Sequence, residues 1–320
     1  MTSVVVERKI QAAIDTMLFT FCRQDEQDFS QWSAGAHVDV EIAAGLTRQY
    51  SLCGSTEDVS RLTIAVQRDA KSRGGSVAMC DAVNLGDTLQ ISAPRNHFEL
   101  DGDEAPILLL AGGIGITPIY AMAAELSRAG RGFELHYFVR SRERAVFLDE
   151  MTSGNFAASF SLHLTRDRAT TLTDVEELLD NRPAEAGLYF CGPDGFMSMV
   201  SDVAARKSWP AERLHKEFFT PPADALAQQG ESRPFLLRLA TSGRELPVPA
   251  DKTALEVLRA AGVPVPSSCE QGTCGTCVVK VLDGVPDNRD HFLSEYNKKS
   301  GKRVALCVSR ALSETLTIEL

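Results

Sequence analysis

Through the first hundred positions, apolar and polar residues alternate with a period of two. AHVDVEI, RQYSLCG, RLTIAVQR and DTLQISA each place apolar side chains at every second position, the pattern of strands with one buried face. Gly35, Gly45, Gly54, Gly86 and Pro94 punctuate these runs, so residues 1–102 are predicted to form a small antiparallel β-barrel. From about residue 106 the pattern changes. PILLLAG is a continuous apolar run suited to a buried strand, IYAMAAELSRAG has a helical period ended by Gly130, and FELHYFV and GLYFCGP read as further strands. Strands alternating with helices imply parallel βαβ units, so residues 103–222 are predicted to be a nucleotide-binding α/β domain. The polar stretch PPADALAQQGES leads to a predicted linker at 223–232. Residues 233–320 open with FLLRLATSGRELPVPA, two strands around a Ser-Gly turn, and continue with the helix TALEVLRAAG, closed by Gly262. No internal repeat is present.

Charge and the N-terminal segment narrow the function. The net charge of −10 argues against nucleic acid or an anionic membrane as the main partner. No apolar run approaches membrane-spanning length, and MTSVVVERKIQAAIDTM lacks the basic and apolar regions of a signal peptide, so a cytoplasmic protein is expected. The charge is unevenly spread: residues 232–320 hold 12 Lys and Arg against 10 Asp and Glu, a formal +2, leaving −12 on residues 1–231.

Four of the eight cysteines form a pattern. Cys269, Cys274 and Cys277 fall within CEQGTCGTC, and Cys307 follows in RVALCVSR. In a reducing compartment such clustering points to metal or redox chemistry rather than to structural disulfides. Dithiol chemistry fits poorly, because CGTC is followed by the strand-like VVKVL rather than by a helix. Zinc ribbons use two CxxC pairs, and this chain has one. The spacing C-x4-C-x2-C with one distant cysteine is that of a plant-type [2Fe–2S] site, and Gly272 and Gly275 allow a tight loop around it. Zinc held by the same thiolates is the alternative.

Two glycine-rich turns suggest phosphate binding. In LLLAGGIGITPIY, Gly112, Gly113 and Gly115 would bring backbone close to a pyrophosphate at a helix N-terminus, or would serve only packing. Pro118 replaces the third glycine of the GxGxxG pattern, and no GK[ST] follows. In YFCGPDGFM, Cys191 is either a small residue at a crowded strand end or, with Pro118, a wall of a nicotinamide slot. In RQYSLCG, Arg48 and Tyr50 share a strand face able to meet a phosphate and an aromatic ring. Gly74, Gly75 and Ser76 sit at a predicted helix start after a basic loop, a second phosphate cradle or a solvated hinge. The six histidines form no evident catalytic or metal cluster and are expected to be structural.

RQYSL, SRGGS, APRNHF, GGIGITP, CGPDGF, HKEFF and CEQGTCGTC occur in this order along essentially the whole chain, and together they resemble the phthalate dioxygenase reductase family, with the vanillate demethylase reductases as a near branch. The resemblance implies a flavin-binding antiparallel β-barrel, an α/β NAD-binding domain and a C-terminal plant-type ferredoxin of β-grasp fold. It implies that Arg48, Tyr50 and Ser51 cradle FMN, assisted by Ala65, Val66, Gln67, Arg73, Gly74, Gly75 and Ser76, with Phe219 near the flavin ring. It places NADH on Gly112, Gly113, Gly115, Thr117, Pro118, Arg140, Ser141, Cys191, Gly192 and Pro193. Ser51, Cys191 and Phe219 would stand where hydride passes, and Cys269, Cys274, Cys277 and Cys307 would ligate the cluster. The implied activity is electron transfer from NADH through FMN and [2Fe–2S] to a Rieske-type terminal oxygenase, by a monomer. A stand-alone flavin/iron–sulfur oxidoreductase serving a small molecule or a P450 is one alternative, and a zinc-bearing interaction protein is another. In RSRER, Arg140, Arg142 and Arg144 could instead pair with the 2′-phosphate of NADPH.

Overall fold

Six strands of the N-terminal region close on themselves. They are β1 (Thr2–Ala13), β2 (Thr16–Arg23), β3 (Ala36–Ala43), β4 (Leu46–Ser51), β5 (Arg61–Gln67) and β6 (Thr88–Ile91), and they pair in the order β4-β3-β6-β1-β2-β5. An antiparallel bridge between Leu52 and Ile64 joins the end of β4 to β5 and completes the barrel. The short β7 (Arg95–Asn96) pairs with β3. Alternation along these strands sends Phe19, Phe21, Val38, Val40, Leu62 and Ile64 inward, where all are fully buried. One helix, α1 (Gly75–Ala82), lies between β5 and β6.

The computed structural model describes residues 1–70, 74–154, 157–180, 182–183, 185–220, 232–293 and 295–320. Arg73 and the greater part of the predicted linker, residues 223–231, lie outside them.

The alternating strands and helices that follow build a five-stranded parallel sheet. Its strands are β8 (Ile107–Gly112), β9 (Phe133–Val139), β10 (Phe160–Leu164), β11 (Gly187–Cys191) and β12 (Leu214–Glu217), in the order β10-β9-β8-β11-β12. The chain builds outward from β8 on one side through β9 and β10, then returns to add β11 and β12 on the other. Ligands of open α/β sheets bind at the C-terminal ends of strands flanking such a reversal, here β8 and β11. Helix α2 (Ile116–Arg128) buries Ile119, Met122, Ala123 and Leu126, one stripe at helical spacing. It ends in a Schellman turn, with left-handed Gly130 and the Arg131 N–H bonded to the Leu126 carbonyl. Helices α3 (Leu148–Ser153), α4 (Arg168–Leu179) and α5 (Asp194–Arg206) complete the layer, and the Asp167 carboxylate caps α4 by accepting from the Thr170 N–H at 2.8 Å.

Residues Met1–Glu217 form one compact unit, holding the barrel and the parallel sheet, and Phe218–Leu320 form a second. The second contains β13 (Phe235–Leu239), β14 (Glu245–Val248), α6 (Ala254–Ala260), β15 (Val278–Asp283), β16 (Pro286–Asp287), α7 (Glu295–Ser300), β17 (Arg303–Ala305), β18 (Arg310–Ala311) and β19 (Thr315–Ile318). Five of these strands pair as β14-β13-β19-β15-β17, a mixed sheet in which β13 and β19 are parallel. A capping box between Thr253 and Glu256 starts α6, whose Leu255 and Leu258 enter the core of this unit. No helix among the described residues is long and apolar enough to cross a membrane.

Candidate functional site

The predicted flavin residues converge at the end of β4. Gly75 opens α1 behind left-handed Gly74 (φ 81°), and a Cβ on Gly75 would fall 2.4 Å from Cγ and 2.5 Å from Nε of Arg48. The missing side chain is therefore what lets the Arg48 guanidinium arm lie across the helix N-terminus, joining a cation to free N–H groups. Arg48 is steered there by donating from Nη1 to the Thr47 carbonyl at 2.8 Å. The Ser76 hydroxyl anchors the same turn to the backbone of Asp69. Beside it, on the same strand face as Arg48, the Tyr50 hydroxyl is buried with no hydrogen-bond partner among the described residues. Burial drives the Tyr50 phenol well above its ordinary pKa. A cradle with a cation, a helix end and an orphaned phenol hydroxyl suits a phosphate-bearing aromatic cofactor. Ala65 and Val66 are buried in β5, and Gln67 faces the cleft described next.

That cleft, of about 700 Å³, opens over the C-terminal ends of β8 and β11. Its floor is made by Gly112, Gly113, Ile114 and Pro193. The two glycine loops interlock: a Cβ on Gly115 would sit 2.2 Å from the Cys191 carbonyl oxygen, and one on Gly192 would sit 2.7 Å from the Phe196 ring and 3.1 Å from Gly112 Cα. Arg140 lines the cleft, as do Arg144, Arg166 and Arg168; Arg144 also meets Asp15 at 3.2 Å. Arg166, just before α4, and Arg168, its first residue, had no role in the sequence reading. Two expected ligands are otherwise engaged. The Thr117 hydroxyl donates to the Ile114 carbonyl at 3.1 Å, and Ser141 hydrogen-bonds Glu143, holding that carboxyl below its usual range.

Between cradle and cleft lies a carboxyl that sequence reasoning passed over. Glu217 ends β12 in register with Cys191 of β11. Its Oε2 accepts from the Ser51 hydroxyl at 3.3 Å, so Ser51 and Cys191, both expected at the site of hydride transfer, flank one acid. Burial pushes the Glu217 carboxyl up to about 8, against the Ser51 hydrogen bond, and pushes the fully buried Cys191 thiol up as well. Nothing in HKEFF marks this glutamate, because its partner Ser51 lies 166 residues away. Phe219, 39% exposed, belongs to the second unit.

Several histidines pair with other titratable groups. His136 Nδ1 and His163 Nε2 lie 3.0 Å apart on adjacent strands, flanked by Glu134 and Asp174. His37 approaches Glu217, with Nδ1 3.9 Å from Oε1.

In the second unit, the four motif cysteines gather in two pairs. Cys274 lies beside Cys269 and holds it toward thiolate, while its own Sγ donates to the Thr276 hydroxyl at 3.2 Å; Cys307 holds Cys277 toward thiolate in the same way. The Gln271 N–H adds a bond to Cys269 Sγ at 3.3 Å. Gly272 (φ 75°) and Gly275 (φ 73°) turn the loop, and a Cβ on Gly275 would fall 2.4 Å from the Phe292 ring. Among the described residues, no three His, Cys, Asp or Glu groups converge as one ion would require. Four thiols in a C-x4-C-x2-C loop with one distant cysteine are the donor set of a plant-type [2Fe–2S] centre.

Comparison with known proteins agrees with this division. Residues 3–100 match the family described as oxidoreductase FAD-binding domain, and residues 237–312 match the 2Fe-2S iron-sulfur cluster binding domain family. The chain is 41% identical over its whole length to the vanillate O-demethylase oxidoreductase of Pseudomonas sp. (strain HR199 / DSM 7063), which is also fully covered. Its structure is similar to phthalate dioxygenase reductase, described as modular for electron transfer from pyridine nucleotides to [2Fe-2S], with TM-score 0.71, 36% identity, and 99% and 97% of the two chains covered. It is also similar to an intact type IV self-sufficient cytochrome P450 monooxygenase, with TM-score 0.88 and 36% identity; all of this chain but only 41% of that one is covered.

Proposed function

The chain belongs to the oxygenase reductase family of phthalate dioxygenase reductase and vanillate O-demethylase oxidoreductase, and from that membership we propose that it draws hydride from NADH onto FMN and delivers single electrons through [2Fe–2S] to a Rieske-type terminal oxygenase. The observation that carries the exit route is the pairing of the four thiols. We assign Cys269 and Cys274 to one iron and Cys277 and Cys307 to the other. Plant-type clusters lie near about −400 mV and Rieske centres between about −150 and +300 mV, so delivery runs downhill.

Flavin supplies the conversion of a hydride's electron pair into single electrons. The protein's part is to bind and orient. Arg48 and the start of α1 hold one terminal phosphate, which favours FMN over the FAD of the matched family's description. Tyr50 would pack on the flavin, Ser51 and Glu217 would offer it a polar edge, and Cys191 fills the strand end, its thiol held neutral by burial. Gly112, Gly113 and Pro193 seat the dinucleotide against the ends of β8 and β11. NADH is the donor in this reading; the four arginines of the cleft make the kcat/KM ratio for NADH over NADPH the sharpest check on it. The work is placed in the cytoplasm, where NADH is made and thiols stay reduced, and in a monomer.

Anaerobic mixing with NADH tests the whole sequence of events. Flavin absorbance should bleach first and the cluster's electron paramagnetic resonance signal should follow, while Cys274→Ser keeps the first event and loses the second. Heat should release FMN, and FAD in the extract would refute the assignment. The similarity to a self-sufficient cytochrome P450 monooxygenase supports a second acceptor, a P450. Reconstitution with a Rieske oxygenase and with a P450 separates the two.

A further inference from the structure

β9 and β10 run parallel, with Ser161 beside His136 and His163 beside Phe138, so both histidines and Phe138 stand on one face of the sheet. His136 Nδ1 lies 3.0 Å from His163 Nε2. On the outer sides, His136 Nε2 is 3.4 Å from Glu134 Oε2, and His163 Nδ1 is 3.4 Å from Asp174 Oδ2 on α4. The row Glu134–His136–His163–Asp174 thus has three contacts, each between two acceptors until one of them carries a hydrogen. Two neutral imidazoles bring two hydrogens, one short. A third proton makes one imidazole cationic between two carboxylates. Burial, then His163, holds His136 down to about 4, so the third proton falls to His163. Arg182 donates to both Glu134 oxygens and holds that carboxyl below its usual range, so this end of the row stays anionic. Of the other elements packed here, β8 has no titratable side chain, and Arg206 of α5 meets Glu176 of α4 at 2.7 Å.

The pair reaches the nucleotide cleft by two routes. The His163 ring stacks on Phe138, with centroids 4.4 Å apart and planes at 17°, and Phe138 meets Phe196 at 5.3 Å. Both phenylalanines line the cleft, and Phe196 fills the space that a Cβ on Gly112 or Gly192 would take, 3.0 Å and 2.7 Å away. Through Asp174 the pair also faces α4, whose Arg168 and Thr171 line the same cleft.

We propose that His136 and His163 are positioning residues of the dinucleotide cleft, which with one shared proton clamp Phe138 and α4 in the geometry that binds NADH. The inference rests on the reading of the cleft given above. A cationic His163 is drawn both to the negative face of the Phe138 ring and to the Asp174 carboxylate. Without the third proton, Nδ1 and Oδ2 face each other as lone pairs and α4 loses its tie to the sheet. Affinity for NADH should therefore weaken as pH rises through the range in which histidine gives up its charge, about 5–8.

The test uses the full-length holoprotein and the NADH concentration that half-saturates flavin bleaching in stopped flow. In wild type this value should rise on the order of tenfold between about pH 6 and about pH 8, the worth of one charge-assisted hydrogen bond, while the limiting rate changes by less than about twofold. His163→Gln should give the high value at both ends of that range. Asp174→Asn should give the opposite result, and it serves alone if His163→Gln does not fold. Its amide N–H can donate to Nδ1 and complete the row with both imidazoles neutral, so the low value should persist at the higher pH. A merely loosened protein would not gain affinity in this way. Nitrogen-15 spectra of labelled histidine should show one imidazole discharging over the same range, a signal missing from His163→Gln. A wild-type value that does not move with pH, or an Asp174→Asn protein that follows wild type, overturns the clamp. Failure of NADH to bleach wild-type flavin would instead overturn the reading of the cleft, and the nitrogen spectra would still decide whether the pair holds its third proton.

Discussion

Gly115→Ala probes the interlock at the nucleotide cleft. Gly115 has an ordinary helical φ of −61°, so alanine is not strained by its backbone. The conflict is spatial: the new Cβ would lie 2.2 Å from the Cys191 carbonyl oxygen, 2.4 Å from its carbon and 2.6 Å from the Gly192 nitrogen. Nonbonded heavy atoms sit at about 3.5 Å, so the loops must part by about an ångström. All three atoms are backbone, and Cys191 is fixed in β11 between β8 and β12, so no side-chain rotation relieves the clash. Overpacking costs about 1–3 kcal/mol, and this geometry belongs at the upper end. For a unit of this size, about 3 kcal/mol lowers Tm by about 6–12 °C. Parting the loops also widens the floor on which the dinucleotide rests, so kcat/KM for NADH should fall by about tenfold or more for each 1.4 kcal/mol that binding loses. Gly113→Ala is the control. Gly113 has φ +52° but open space around it, so only about 1–2 kcal/mol of left-handed strain applies. Thermal melts and ferricyanide turnover measure both variants. A Gly115→Ala protein with wild-type Tm and kcat/KM, or a Gly113→Ala protein melting lower than it, would refute the reasoning.

Gly275→Ala should abolish the cluster's visible absorbance and keep the flavin's, because a left-handed φ and the Phe292 ring both exclude a Cβ. Residues 1–229 alone should reduce ferricyanide with NADH but not cytochrome c, since the first unit contains its own cores. Between the ordinary carboxyl value of 4.5 and about 8, folded Glu217 holds a proton that the unfolded chain has lost, so stability should fall as pH rises across that window; Glu217→Gln should flatten the slope by up to about 1.4 kcal/mol per pH unit in urea melts. Charge reversal at Lys298 and Lys299 on α7 should weaken the salt dependence of oxygenase reduction and leave flavin reduction unchanged, measured by stopped flow at two ionic strengths.

The parts of this molecule that repeat along the chain could be read from it. Alternation in AHVDVEI and RLTIAVQR gave β3 and β5, and the apolar run PILLLAG gave β8, because burial on one face or two leaves a local signature. Cysteine spacing worked for the same reason: the loop closes within nine residues. What escaped was assembled across the fold. Glu217 is weakened as an acid by burial beside Ser51 of β4, 166 residues away, and His136 meets His163 only because β9 and β10 lie side by side. Arg166 and Arg168 sit in TRDRAT, which looks like any polar loop until the switch in strand order places a cleft beside it. Thr117 shows a local use that its sequence does not announce, since its hydroxyl donates to the Ile114 carbonyl within the turn itself.

Cys277 and Cys307 are counted among the core side chains of the second unit, packed with Leu237, Leu258, Val304 and Leu316. On the proposed assignment, sulfur atoms that must become anionic to hold metal thus occupy the interior of this unit. With these thiolates as cluster ligands, a newly made chain would close this interior around iron, joining cofactor delivery to folding. Iron supply then acts as quality control on the exit of the electron path. A starved cell would accumulate molecules with a working NADH entrance and an unfinished tail, open to proteases before they could discharge electrons to oxygen.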